Sequence, residues 1–456
     1  MQTIDFFDSA LLNKYNINGP RYTSYPTALE FNNDVSDATL LTAAKTSPAP
    51  DLSLYVHIPF CHSLCYYCGC NKVVPRHADK ADRYLDYLSK EITLRSAAFE
   101  HYTVRQLHLG GGSPSFLSPE QHQRLMQLLK DAFNFADDAQ CSIEIDPRTV
   151  DTDYISALAS VGYRRISIGV QDTDYNVQQA INRVQSTSHI ASLVDHARQV
   201  GFDSVNLDLI YGLPHQSEET FKTTLAAVKA MEPERVSLFS YAHLPERFAA
   251  QRKIKDEWLP SAELKLALMK QAMATLSEVG YELIGMDHFA KADDELAVAQ
   301  RQGELHRNFQ GYTTRGDLDL LGLGVSSISA VYNMYGQNPK TLNDYYAALD
   351  APASLTTKGV LLNRDDMLRR QVIMQLMCNL NLAICDIESE WEIDFNNYFA
   401  DAIAALDPFI DDGLVSVTAQ HIRVAPKARL LIRIISMSFD AYLARQVHQR
   451  RYSRVI

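Results

Sequence analysis

Two hydrophobic rhythms alternate along this chain. Short apolar runs rich in Val, Ile and Leu predict strands at Leu52–Pro59, Val104–Leu109, Cys141–Ile145, Arg165–Val170, Ser204–Ile210, Arg235–Ser240 and Leu283–Met286. Nearly continuous apolarity is what parallel strands covered on both faces require. Between the runs the period lengthens to that of a helix. In Ser188–Val200, residues Ile190, Leu193, Val194 and Ala197 fall at i, i+3, i+4 and i+7, one buried stripe. Another helix opens at Ser118-Pro119-Glu120-Gln121, with a capping Ser, Pro in the first turn and Gln at the capping-box position. Three helix ends share one signature, Val161-Gly162-Tyr163, Val200-Gly201-Phe202 and Val279-Gly280-Tyr281. Each glycine suits the left-handed position just past a helix. The spacing of roughly forty residues, then about twice that, is the length of a strand–helix unit. Strands alternating with helices predict an α/β protein, either a parallel barrel or an open sheet, with its site at the carboxyl ends of the strands.

After residue 360 the pattern changes. Asp365–Leu380 and Asn396–Leu406 predict helices, Gly413–Val417 and His421–Val424 a hairpin, and Lys427–Ala444 a further helix, a small winged-helix-like unit. The first 45 residues show no clear period. Their aromatic, turn-rich stretch GPRYTSYPT at 19 to 27 predicts a segment lying on the main domain. The expected organisation is an N-terminal segment covering the active site (1–45), a catalytic barrel (46–360) and a mainly helical C-terminal domain with a short hairpin (361–456).

At 456 residues, 46% hydrophobic and 21% charged, the composition is that of a globular protein with room for one large and one small domain. No apolar run approaches the roughly 18 residues of a membrane span, and the opening MQTIDFFDSALLNKY lacks the layout of a signal peptide. The cysteines are clustered instead of spread as a disulfide framework, so the expected setting is the reducing cytoplasm, away from membranes. A net charge of −12 argues against broad nucleic-acid binding. Arg445, Arg450, Arg451 and Arg454 in the tail are read as a solvated face or a local anion contact.

The charged and sulfur-bearing residues sharpen this frame. Four of seven cysteines lie in CHSLCYYCGC at 61 to 70. Cys61, Cys65 and Cys68 have the spacing C-x3-C-x2-C, suited to three irons of a [4Fe-4S] cube whose fourth iron stays open. A zinc knot or unmetallated thiols are the alternatives. Zinc usually takes paired C-x2-C units, and Cys141, Cys378 and Cys385 supply no second pair. Cys70 sits too close to Cys68 for a comfortable fourth ligand. The loop follows the first strand, Gly110-Gly111-Gly112-Ser113-Pro114 follows the second, Glu144 and Asp146 end the third, Gln171 ends the fourth, Asp208 lies in the fifth, and Tyr241-Ala242-His243 ends the sixth. The glycine run suits close approach to a ligand or a structural turn. Glu144 could meet a ligand ammonium or hydroxyl, or be a solvated strand end. Asp208, flanked by Leu207 and Leu209, is a carboxylate costly to bury without a partner. Asp146-Pro147 reads as a turn starter, His57 as a satisfied core residue, and His62 as an exposed loop residue.

These residues match a known pattern. CHSLCYYC resembles the signature of the radical S-adenosylmethionine (SAM) superfamily. The blocks LYVHIPFCHSLCYYCGCNKVV, GPRYTSYPTALEF, LHLGGGSPSFL, IEIDPRTV, NLDLIYGLPHQ, FSYAHLPERF and HRNFQGYTT resemble, along nearly the whole chain, the oxygen-independent coproporphyrinogen III oxidases. The resemblance implies a radical-SAM-type partial (β/α)6 barrel with an N-terminal extension. It implies one [4Fe-4S] cluster on Cys61, Cys65 and Cys68, and two SAM molecules. Tyr55, Gly111, Glu144 and Ile328 would hold the first SAM. Tyr67, Gly112, Ser113, Gln171, Arg183, Asp208 and Ala242 would hold the second, with Tyr67 and Ser113 standing where the family commonly has Phe and Thr. Phe309 and Gln310 match residues near the reaction centre. The implied reaction uses a 5′-deoxyadenosyl radical to take hydrogen from two propionates of coproporphyrinogen III. Each loses carbon dioxide and becomes a vinyl group, giving protoporphyrinogen IX for haem synthesis. A reductant and an electron acceptor would come from outside, and the chain would act as a monomer. Arg21 is a candidate propionate contact, because guanidinium pairs bidentately with carboxylate; a surface salt bridge is its alternative. Two rivals stand beside this reading. A haem chaperone of the same superfamily commonly has an aromatic residue in place of Cys70 and lacks GPRYTSYPT. A plain iron–sulfur carrier or zinc scaffold would fill all four metal positions and need no barrel.

Overall fold

Six of the apolar runs become parallel strands: β1 (Asp51–Ile58), β2 (Thr103–Gly111), β3 (Asn134–Ile145), β4 (Arg165–Gln171), β5 (Ser204–Tyr211) and β6 (Arg235–Ser240). The computed structural model describes residues 9–443 apart from 16, 76, 78, 317 and 352. The tail arginines Arg445, Arg450, Arg451 and Arg454, and Ala444 at the end of the last expected helix, lie outside the described residues. Contacts divide the chain into two compact units. The larger holds Asn32–Tyr281 and Asp317–Leu361; the smaller holds the described residues up to Phe31, Glu282–Gly316 and the described residues from Leu362 on.

In the larger unit the strands neighbour one another in chain order, β1-β2-β3-β4-β5-β6, with at least one helix in every connection. A doubly wound sheet would reverse its order partway. Here each crossover steps the same way, and right-handed crossovers then place all helices on one face, the arrangement of a barrel. The alternative left open by the sequence pattern is thereby decided. The first strand also pairs in parallel with Asp319–Leu323, which continues antiparallel through Ile328–Val331, Met334–Gln337 and Lys358–Leu361. None of these four strands stands out in the apolar pattern, because they are short and interrupted by Gly322, Gly336 and Gly359. β3 starts seven residues before the expected Cys141. Its first half, NFADDAQ, is polar and partly exposed, so no apolar run betrays it.

Local signals hold where they were strong. Ser118 and Gln121 form the capping box, with both reciprocal hydrogen bonds present. Gly162, Gly201 and Gly280 all have positive φ, with open space where a Cβ would stand. The N-terminal stretch contains a helix the pattern did not reveal, Asp37–Thr46, capped by Ser36 and burying Leu40, Ala43 and Ala44.

The smaller unit is built from distant pieces of chain. Ile284, Leu296, Leu305 and Cys378 share a core on which Tyr312 packs. A hairpin of His306–Asn308 and Gly311–Thr313 carries Phe309 and Gln310 in its turn. Helix Arg364–Asn379 is followed by a three-stranded sheet, in which Asn381–Ala383 joins the expected hairpin of Val415–Val417 and His421–Val424. The expected helix Asn396–Leu406 is broken at Phe399, which packs on Phe395 and Phe439 at ring distances of 4.7 and 5.5 Å. The expected helix from Lys427 is a 3-10 turn, Pro426–Leu431, then a short helix, Ile432–Met437. Segment 19–25 is held inside this unit: Arg433 donates to the carbonyls of Gly19 and Pro20, and Tyr22 to Asp440. Among the described residues no helix is long and apolar enough to cross a membrane.

One buried network in the larger unit supports the end of β1. Glu91, fully buried, accepts from Gly324 N–H, Asn338 Nδ2 and Tyr345 Oη, each at 2.7 Å. The Arg95 guanidinium lies 3.4 Å away. Nearby, Tyr84 accepts from Val325 N–H and donates to His57 O, two residues before the turn into the cysteine loop. Removing the Glu91 carboxylate would take the acceptor from the buried Gly324 N–H and Tyr345 hydroxyl and one of two carboxylates from beside the buried Arg95. Glu91→Ala should therefore lower the unfolding free energy by roughly 3–5 kcal/mol, measured by urea denaturation.

Candidate active site

The cysteine loop leaves β1 at Pro59 and is pinned at its root. Cys61 N–H donates to Val73 O at 3.0 Å and Val73 N–H to Pro59 O at 2.7 Å. Its middle is tied to the segment after β4: Tyr66 N–H donates to Ile181 O and Asn182 Nδ2 to Leu64 O. Cys65 is buried, and Cys61 and Cys68 are half-buried; none is in a disulfide. Burial and the neighbouring Cys68 and Cys65 push the Cys61 thiol up to about 12. A hydrogen bond from Cys70 draws the Cys68 thiol down, and Cys70 N–H lies 3.4 Å from Cys68 Sγ. Cys65 Sγ accepts from two guanidiniums, Arg183 Nη1 at 3.3 Å and Arg148 Nη2 at 3.4 Å.

This donor set fits an iron–sulfur cube. Three thiols crowded on one loop resist joint ionisation unless cationic metal compensates them, and the protein already supplies donors to two of the sulfurs. A cube spreads its ligands, one thiolate to each of three irons.

Asp146 does more than start a turn. It caps the 3-10 turn Pro147–Thr149 by accepting from Arg148 N–H, and its carboxylate also pairs with the Arg148 and Arg183 guanidiniums, at 2.5 and 3.3 Å. Arg183 further donates to Gly169 O at 2.8 Å. Gln171 ends β4 with φ of +65°, beside a register shift.

Tyr55, Glu144 and Asp208 come from β1, β3 and β5. Glu144 is deeply enclosed, yet 45% of its side chain is accessible, the mark of a group lining a cavity. Burial pushes its carboxyl up, but His108, 3.2 Å from Oε1, together with Gly111 N–H and His57 more than offsets this and holds it below the usual range. His108 is fixed on its other side by Ser142 Oγ at 2.7 Å and stacks on Tyr55, ring centroids 6.0 Å apart. Tyr55 Oη meets His57 Nδ1 at 3.1 Å and the Asn71 carbonyl lies 3.0 Å from Nε2, so His57 is the satisfied buried histidine expected, in contact with the expected site residue Tyr55. Asp208 is raised to about 6, first by burial and then by the charge of Glu144; Ser167 and Asn206 hydrogen-bond to it at 3.0 and 2.8 Å.

The glycine run is demanded first by its neighbours. A Cβ on Gly111, which has φ of +116°, would come within 2.5 Å of His57, and one on Gly112 within 2.7 Å of the Pro59 backbone. Gly112 N–H donates to Ile58 O and Ser113 N–H to Phe60 O, both at 2.8 Å. Ser113 Oγ meets Ser115 Oγ, which in turn accepts from Asp146 N–H. Tyr67 and Ala242 are joined through Gln251, whose Nε2 donates to both carbonyls at 2.8 and 3.2 Å. Ile328 pairs with the strand holding Gly322, the register partner of Tyr55; a Cβ there would stand 2.6 Å from Ile328 O. His62 is exposed and rests on Phe116 at 4.5 Å.

Thus the three cysteines and all eleven expected SAM contacts belong to the larger unit, most of them at or after the carboxyl ends of its strands, while Tyr55 and Asp208 lie midway along β1 and β5 and Ile328 opens its own strand. The remaining three expected residues lie in the smaller unit. Phe309 and Gln310 occupy the hairpin turn, with Gln310 N–H on Asn308 Oδ1 at 2.8 Å. Arg21 pairs with Asp287, and Arg307 donates to the Arg21 carbonyl. Arg148, His108 and Gln251 were not singled out from the sequence. The one available signal was that His108 lies two residues before the glycine run on the same strand face.

Residues 55–228 match the radical SAM superfamily, and residues 362–431 match the HemN C-terminal domain. The chain is 52% identical over 456 residues to the oxygen-independent coproporphyrinogen III oxidase of Escherichia coli K12, covering all of both chains. It is 42% identical to that of Helicobacter pylori 26695, covering 97% of this chain and 98% of the relative. The solved structure described as coproporphyrinogen III oxidase (HemN) from Escherichia coli, a radical SAM enzyme, superposes with a TM-score of 0.93 at 51% identity, covering 97% of this chain and all of that one.

Asp208 generates a pH-dependent cost. Its carboxyl is raised in the folded state from 3.8 to about 6, so ionising it opposes folding. The cost is absent below the unfolded value, grows between the two values and is constant above the folded one. Asp208→Asn should stabilise the cluster-free protein at pH 7.5 by up to about 3 kcal/mol. In urea unfolding, the gap between variant and parent should be wider at pH 7.5 than at pH 5.

Proposed function

The chain belongs to the oxygen-independent coproporphyrinogen III oxidases of the radical SAM superfamily, and from that premise we propose how its residues divide the work. It is an enzyme of haem biosynthesis that oxidatively decarboxylates coproporphyrinogen III to protoporphyrinogen IX, with a [4Fe-4S] cluster and SAM as cofactors. A haem chaperone without this activity is disfavoured by the full-length similarity to relatives named as oxidases. When bound, the cluster and SAM supply a 5′-deoxyadenosyl radical, which starts the reaction at a propionate.

Cys61, Cys65 and Cys68 are the cluster ligands, and Cys70 is not one. The observation that carries this is the loop itself, whose sulfurs lie at the rim of a parallel barrel beside enclosed polar groups. Glu144, kept ionised by His108, receives a cationic group of SAM, with Tyr55, Gly111 and Ile328 completing its setting. Tyr67, Gly112, Ser113, Gln171, Arg183, Asp208 and Ala242 border the place of a second SAM. Phe309 and Gln310 serve near the reacting propionate. Arg21 receives a substrate carboxylate, exchanging its present partner Asp287 for it. A reductant and an electron acceptor come from outside, and the chain works as a monomer.

The test is anaerobic turnover after cluster reconstitution, with reductant, SAM and coproporphyrinogen III. Loss of two carboxyl groups, with 5′-deoxyadenosine formed alongside, is expected; SAM cleavage with the tetrapyrrole unchanged would point to another substrate. Cys61→Ser, Cys65→Ser and Cys68→Ser should each lose the four-iron content and all product. Cys70→Ser should retain four irons per chain by metal and sulfide analysis.

A further inference from the structure

We infer that Arg148 sets the reduction potential of the cluster through its contact with the Cys65 sulfur. This rests on the reading that Cys65 holds an iron. Arg148 lies in the IEIDPRTV block, and no role falls to it in the ligand sets above.

Its guanidinium is fully committed. Nε and Nη2 both face the Asp146 carboxylate, Nη1 donates to Asn182 O at 3.1 Å, and Nη2 reaches Cys65 Sγ at 3.4 Å. The surroundings are nearly dry: side-chain exposure is 15% for Arg148, 12% for Asp146 and 7% for Arg183. Two guanidiniums and one carboxylate leave one net positive charge against this sulfur. The other two cysteines have weaker support. Cys68 receives the Cys70 backbone N–H, and hydrogen bonds from the Cys70 and Lys72 side chains also favour its thiolate, but no guanidinium lies against it.

Adding an electron to the cluster adds negative charge, and part of it falls on the thiolates. A cationic donor on one thiolate stabilises the reduced form more than the oxidised form and raises the potential. Low surrounding polarity strengthens the effect. Asp146 has a double part: it fixes the direction of the guanidinium and offsets some of its charge. Arg148 is therefore a positioning and tuning residue, not one that touches substrate.

The experiment is a redox titration of the reconstituted holoenzyme without SAM, following the reduced cluster by electron paramagnetic resonance. At the poise where the parent cluster is half reduced, Arg148→Met should show a reduced-to-oxidised ratio about tenfold lower, a shift of roughly 59 mV to more negative potential. Arg148→Gln, neutral but still able to hydrogen-bond, should shift in the same direction, and Asp146→Asn in the opposite one. Arg148→Met or Arg148→Gln carrying four irons and titrating with the parent would overturn the proposal. So would an unmoved Asp146→Asn if neither Arg148 variant takes up a cluster. Omitting SAM separates this from any failure of SAM binding. A Cys65→Ser protein that still loads four irons would sink the ligand reading itself, independently of the Arg148 result.

Discussion

A cysteine sulfur held against buried guanidinium is the constraint on which the larger unit's site depends. Arg183 is 6% exposed, and a charge so enclosed must be paired or it destabilises the fold. It finds its partners on three separate pieces of chain: Cys65 in the loop after β1, Asp146 at the end of β3 and Gly169 in β4. Arg148 repeats two of these contacts from the other side of Asp146. The loop is thus positioned by charge as much as by backbone, and its geometry follows from where β3 and β4 end. A zinc knot could fold around its own metal. This loop is tied to the barrel by the contacts of Leu64, Cys65 and Tyr66.

Glu144 and Asp208 form a second electrostatic tension in the larger unit. They project from β3 and β5, separated by β4, and their charges oppose one another. His108 and Gly111 N–H relieve Glu144, whereas Asp208, with neutral partners only, is driven upward. The cavity is therefore prepared for cationic groups. SAM brings a sulfonium and an ammonium, and either one placed near Asp208 would return its carboxyl toward the ordinary range. Binding energy and proton release are coupled there by the ordinary rule of linkage.

What could be read from the sequence had a local cause. Apolar runs gave β1, β2 and β4 to β6 to within two residues, the glycine after each helix gave its end, and Ser118 with Gln121 gave a capping box. Strand-end positions alone placed Glu144 and Gln171 on one rim, whereas Asp208 was marked by being a carboxylate inside an apolar strand. What stayed hidden depends on partners remote in sequence. Gln251 meets Tyr67 across 184 positions, and Arg433 meets Gly19 across 414. Nothing within a window of twenty residues predicts such pairs. The polar first half of β3 was missed for the converse reason: it is a strand by pairing with β2, not by its own hydrophobicity. Arg148 follows a proline turn, where an arginine is ordinarily a surface residue, and only the fold turns it inward.

The glycine run shows how packing and ligand binding come to require the same residue. A Cβ at Gly111 or Gly112 would strike His57 or Pro59 before any ligand entered, so the close approach of β2 to the root of the cysteine loop excludes side chains by itself. Hydrogen bonds from Gly112 to Ile58 and from Ser113 to Phe60 then lock the two strand ends into one seam. The consequence is mechanical. A ligand resting on the end of β2 and a cluster held by the cysteine loop after β1, as proposed, would share a single wall joined by these backbone hydrogen bonds. Relative placement of the two is fixed by backbone, and backbone placement costs no side-chain entropy when ligand binds.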